Sequence, residues 1–201
     1  LTVDQYAAGV EVGDTLCVLL SRGTPALGII RGVGFKHAGI HKLKGTGIYK
    51  STLENSGEAE SDWIRLRTAL VRCCELADEG QWEEIDKVSV SNWVPAIRTK
   101  LLHIYFPEDV LPIYVSGELG HFLDALKVGI SPGNGKWASS PNRKLLEHLR
   151  AMPELQGWST FELAALLRAW FPRPPKAVSD LTQPELIILS IQALVKDSGD
   201  Y

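Results

Sequence analysis

Cysteine is scarce: Cys17, Cys73 and Cys74 are the only three in 201 residues, an odd number with no Cys-x-x-Cys step and no Cys/His ligand pair. That excludes a disulfide scaffold and a zinc ribbon, and the three read as reduced core thiols of a cytosolic protein. No apolar run approaches the ~18 residues a membrane span requires. The N-terminus has no basic-then-apolar leader, which excludes a secretory signal. A surplus of positive charge is missing as well, since the net charge is −3, which argues against a protein that coats DNA wholesale. Catalytic signatures are absent in turn: there is no Gly-x-Ser-x-Gly elbow, no His-Glu-x-x-His and no nuclease-like Asp…Glu-x-Lys cluster. Gly129-x5-Gly135-Lys136-Trp137 is one residue too long for a phosphate loop and has Trp where the Mg²⁺-binding hydroxyl belongs. Gly32-x-Gly34 lacks the third glycine of a dinucleotide loop. No catalytic residue, metal or cofactor is therefore expected within this chain. Its first residue is Leu rather than Met, which suggests a fragment of a longer protein.

What is present is an ordinary soluble composition, 45% hydrophobic and 22% charged, enough for one large domain or two small ones. The charge is unevenly spread. Arg22, Arg31, Lys36, Lys42, Lys44 and Lys50 lie between Thr15 and Lys50 with no acidic residue among them. From Ser51 to Asn92 the balance reverses, with ten acidic residues against four basic ones. A basic stripe beside an acidic one suits a steered binding face; the plainer reading is a solvated loop next to an acidic helix.

Residues 1–92 read as β-rich. Gly13-Asp14 precedes the apolar run Thr15–Leu20, a turn signal follows at Ser21–Pro25, and Ala26–Phe35 reads as a second strand bent at its glycines. His37–Ser56 reads as a polar loop with a short strand at Gly47–Lys50. Trp63, Leu66, Leu70, Cys73 and Ala77 keep a helical period, while alternation over Ile64, Leu66 and Thr68 leaves a strand open. Trp82–Asp86 reads as a helical turn, and Lys87–Trp93 alternates as a closing strand would.

Residues 93–201 read as helical. Pro95 suits a first helical turn, and Ile97, Leu101 and Ile104 form a stripe behind it. Ser116 reads as the cap of a helix burying Leu119, Phe122, Leu123 and Leu126; Ser140-Pro141 opens another that buries Leu145, Leu149 and Met152. Ser159 with Glu162, and Thr182 with Glu185, have the capping-box spacing. Trp137, Trp158 and Trp170 fall on these stripes and read as core, and His103 and His121 read as structural.

The run from Lys100-Leu101-Leu102 through Tyr105-Phe106-Pro107-Glu108, Leu111-Pro112-Ile113 and Gly120-His121-Phe122-Leu123-Asp124-Ala125-Leu126 resembles a region upstream of the motor in McrB-like proteins. These are the nucleotide-driven subunits of modification-dependent restriction systems. Asn142–Leu146 and Gly157–Leu163 are similar to the same region further on, so the resemblance covers roughly residues 93–172. The opening pattern of Gly-Asp, strand, turn and Ala-x-Gly-strand resembles PUA-like barrels, EVE-type domains included, which occur at the front of such proteins and recognise modified or flipped bases. Together the resemblances imply an α+β chain: a small PUA-like β-barrel over 1–92, then an α-helical subdomain over 93–201. They further imply a downstream motor, a separate nuclease partner, a cytoplasmic defence role, and methylated or otherwise modified DNA as the ligand.

A base reader must extrude its target and compensate for lost stacking with aromatic faces and a few hydrogen bonds. Tyr49, Trp63 and Trp93 (with Phe35) are the candidate walls, and Asn92 is a candidate reader of base edges. Arg22, Lys36, His37, Lys42, Lys44 and Lys50 are the candidate phosphate contacts. Two rival readings need no such cage: a protein-interaction module that docks on a motor or nuclease without touching DNA, and a small-ligand or RNA-binding PUA-like domain.

Overall fold

Pro95 opens a largely enclosed helix, Pro95–Tyr105. The computed structural model of the chain describes residues 1–7, 15–24, 27, 30, 39–43, 46–51, 53, 58–90, 94–129 and 139–172. In chain order the elements are α1 (Val3–Tyr6), α2 (Leu16–Val18) running into a π-helical segment (Leu19–Gly23), β1 (Ile40–Lys42), β2 (Tyr49–Ser51), α3 (Ala59–Asp78) and α4 (Trp82–Ile85). They continue with α5 (Pro95–Tyr105), α6 (Ser116–Ala125), α7 (Ser139–Arg150), a 3₁₀ turn (Pro153–Leu155) and α8 (Thr160–Trp170). The chain divides into two units, Leu1–Phe171 and Pro172–Tyr201; all elements named here belong to the first.

The expected PUA-like barrel is not seen: the described residues are mostly helical and hold one two-stranded antiparallel sheet, β1 with β2. Thr15–Leu20 shows why. A continuous apolar run has no period with which to choose strand over helix. Local polar groups decide it, since the Thr15 hydroxyl accepts from the Val18 N–H and Ser21 Oγ donates to the Cys17 carbonyl at 2.6 Å. Lys87–Val90 is not a strand either. Val88 and Val90 are half-buried between exposed Lys87 and Ser89, so burial alternates, yet Lys87 and Val88 donate back to Glu84 and Ile85 as a tightening turn does. Alternation there accompanies half-burial in a helix-like turn. Most of Ala26–Phe35, the Thr182–Glu185 box and Trp137 lie outside the described residues.

The stretch left open between helix and strand is α3. Leu66 is fully buried while Ile64 and Thr68 face outward, which only the helical period allows. Pro95 occupies the first turn of α5, as its missing N–H favours. The α5 stripe differs from the expected one: Ile97 is buried but Ile104 is exposed, and Ala96, Arg98, Thr99, Lys100, Leu102 and His103 are buried too. α5 is thus enclosed on several sides, by α3 and the π-helical segment among others. Ser116 is the first residue of α6 rather than its cap. Ser159 and Glu162 do form a reciprocal box on α8. Trp158 and Trp170 are 39% and 66% exposed, not core; one precedes the α8 cap and the other ends that helix beyond its last packed turn.

Three apolar clusters result. One gathers α1, α2, the hairpin, the first half of α3 and Ile97 of α5, with Tyr114. A second joins Leu111 and Ile113 to α6, α7 and α8, and a third places Leu102 against Cys73, Leu76 and Ile85. Gly39, at φ +73°, leads into β1 where a Cβ would come within 2.9 Å of the Leu53 side chain, so only glycine fits. No helix among the described residues is long and apolar enough to cross a membrane.

Candidate nucleic-acid interface

The hairpin carries three of the sequence candidates. Its register pairs Ile40 with Ser51, His41 with Lys50 and Lys42 with Tyr49. Directly opposed residues share a face and successive ones alternate. Ile40, fully buried, therefore sets the inner face, which Lys42 and Tyr49 share. His41 and Lys50 lie on the outer face. The Leu43 N–H donates to the Ile48 carbonyl at 2.8 Å, extending the ladder one rung and placing Leu43 and Ile48 on that outer face as well. A Thr46 hydroxyl that donates to the Leu43 carbonyl and accepts from the Ile48 N–H closes the turn, with Gly47 at φ +68°.

On the inner face the charge is already matched. Asp4 of α1 accepts from the Tyr49 hydroxyl and pairs with Lys42 at 3.2 Å, and Lys42 Nζ stands 5.2 Å from the Tyr49 ring centre. Those contacts hold the Asp4 carboxyl below its usual range, the Tyr49 hydroxyl first and Lys42 second, and raise Lys42. Desolvation, with Asp4 second, raises the Tyr49 phenol. On the outer face Lys50 is exposed and joins no ion pair among the described residues. Burial, and then the charge of Lys50, lower His41.

Trp63 joins the same region from α3 but offers no open ring face to it. It is 2% exposed, lies stacked on Tyr6 with ring centres 4.4 Å apart, and donates its indole N–H to the Leu1 carbonyl at 2.9 Å. Tyr49, Lys42 and Trp63 are thus gathered around α1, Tyr49 and Lys42 through Asp4 and Trp63 through Tyr6. Arg22 sits in the π-helical segment, its side chain outside the described set; Lys36, His37, Lys44, Asn92 and Trp93 also lie outside the described residues.

Sequence reasoning missed two buried cations on α5, Arg98 and Lys100. Arg98, Lys100 and His103 have no exposed surface. Arg98 approaches Asp86 at 3.7 Å, and the same Asp86 carboxylate accepts from the first two backbone N–H groups of α7, Ser139 and Ser140 (3.1 Å). Lys100 reaches the Thr24 carbonyl at 3.4 Å and stands 5.5 Å from the Tyr114 ring centre. Desolvation lowers both cations. The only sequence signal was negative: two charged residues where the stripe had no place for them.

A surface cleft of about 410 Å³ between α4 and α7 is lined by Trp82, Glu83, Glu84, Ser140, Arg143 and Lys144, among others. Its guanidinium is spoken for: Arg143 lies 5.2 Å over the Trp82 ring and pairs with Asp109 and Glu147. No His/Cys/Asp/Glu group suited to a metal occurs among the described residues. Burial pushes the thiols of Cys17 and Cys74 up to about 12 and about 11, away from the thiolate a nucleophile requires.

No family model, curated protein or solved structure matches the chain.

Proposed function

We propose that the chain is a non-catalytic DNA-recognition module of a McrB-like restriction system, in which the basic N-terminal region holds duplex DNA and the β1–β2 hairpin is its contact element. The observation that carries this reading is the outward face of the hairpin, where exposed Lys50 stands beside His41 at the end of a stretch with six cations and no acid. The resemblance of residues 93–172 to the region before a McrB-like motor supports the same assignment. Binding should then be electrostatic at root and fall steeply with salt. Anisotropy titrations of labelled duplexes at graded salt test it. Lys50→Glu is expected to weaken methylated and unmethylated duplexes alike and to lower the log–log salt slope by about 0.9, the share of one phosphate contact. Absence of binding at low salt, or a Lys50→Glu variant equal to the parent, would sink the proposal.

A second reading, docking on a motor or nuclease subunit, is favoured by Ile64 and Val71. They are 57% and 50% exposed and lie two turns apart on one side of α3. The parent chain separates the two readings, since it binds duplex DNA at low salt only in the first; in the second, Ile64→Glu is expected to weaken docking on the motor or nuclease subunit.

A further inference from the structure

We infer that the hairpin enters the major groove of duplex DNA as a two-stranded ribbon, seating the Leu43–Ile48 pair against thymine C5-methyl groups. This rests on the DNA-binding reading above and names what the same face recognises. Leu43 and Ile48 are 38% and 60% exposed, directly opposed across the strands and fixed by the backbone bond between them. Each is an apolar side chain on a face whose next rung holds Lys50, with adjacent rungs roughly 7 Å apart. An apolar pair with a cation beside it matches a groove floor of methyl groups bordered by phosphates. Size selects the groove. Two strands about 4.8 Å apart, with their side chains, fit the roughly 12 Å major groove and exceed the roughly 6 Å minor one. The thymine methyl is exposed only in the major groove, and apolar side chains are its natural contacts. The inner face is closed to this role, since Asp4 already holds Lys42 and Tyr49.

The experiment compares the affinity of the full chain for an A·T-rich duplex with that for the same duplex carrying uracil for every thymine, a change that removes only the methyl groups. The thymine duplex is expected to bind more tightly, by about fourfold for each methyl covered. Ile48→Ser, which leaves Leu43 in place, is expected to narrow the thymine preference with an unchanged salt slope, while Ile64→Ser, an equally exposed change on α3, keeps that preference whole. Ile48 lies outside the core, so circular dichroism should be unaltered in its variant. Equal affinity of the parent for the two duplexes would overturn the groove contact and leave the DNA-binding reading standing. No binding to either at low salt would overturn both, and would assign the apolar pair to a protein partner.

Discussion

His103 is held as one tautomer with no exposed surface. Its Nδ1 lies 2.7 Å from the Val110 carbonyl, which can only accept, so Nδ1 bears the proton and Nε2 does not. Nε2 is buried without a hydrogen-bond partner among the described residues, and the ring packs edge-on against Phe161 at 4.9 Å between centres. Desolvation, aided by Lys100 and opposed by the Val110 bond and Glu108, holds the imidazole below its usual 6.5. The unfolded chain therefore binds a proton that the folded one refuses. Stability is expected to be lost as pH falls from about 6.5 toward the depressed folded value, and to flatten beneath it. Urea midpoints across that range, differenced against His103→Leu, read the slope; equal slopes in the two proteins would refute it. Trp63 makes the second prediction at this scale. With the indole stacked on Tyr6 and its N–H bonded to Leu1, Trp63→Ala is expected to cost about 3–5 kcal/mol in a melt. A variant as stable as the parent would show the site to be no part of the core. Composition flagged this residue as an aromatic near a basic loop, and nothing local to it in the chain could announce Tyr6 as its neighbour.

Helix caps show which elements a chain announces and which it conceals. The α8 box was legible because Ser159 and Glu162 are three residues apart, and the Ser159 N–H and hydroxyl hold the Glu162 carboxyl below its usual range. The α7 start was legible only in part. Its first N–H groups are taken by Asp86, 53 residues earlier, rather than by Ser140. The first-half strands misled for a related reason, since β-like composition is a statement about half-burial and, among the described residues, only β1 and β2 found each other. Removing the two caps should therefore differ in scale. Ser159→Ala is expected to cost about 1 kcal/mol. Asp86→Ala removes a cap and takes a carboxylate from beside buried Arg98, for about 2–4 kcal/mol. Chemical denaturation of both variants checks the ranking, and a smaller loss for Asp86→Ala would contradict the network.

Across the whole of the first unit, long-range bonds converge on residues 98–114. Arg98 reaches Asp86, Lys100 reaches Thr24, and Tyr114 donates its hydroxyl to the Leu27 carbonyl at 2.7 Å, with burial pushing that phenol well above its usual range. Clusters tied in this way should unfold together. Leu163→Ala, far from the hairpin in the α6–α8 cluster, is expected to cost about 2–5 kcal/mol and to lower the urea midpoint with the slope unchanged. A second transition would show that the clusters melt apart. The ties that Tyr114 and Ile97 make also set an order of events during synthesis. Residues 1–92 leave the ribosome first, yet their apolar cluster is completed by Val94, Ile97 and Tyr114, which emerge later. The N-terminal segment must therefore wait, its apolar surface unfilled, for the interval it takes to translate some twenty more codons, roughly one to four seconds. A fragment ended at residue 92 would prolong that interval indefinitely, and its circular dichroism should lack the α3 helix.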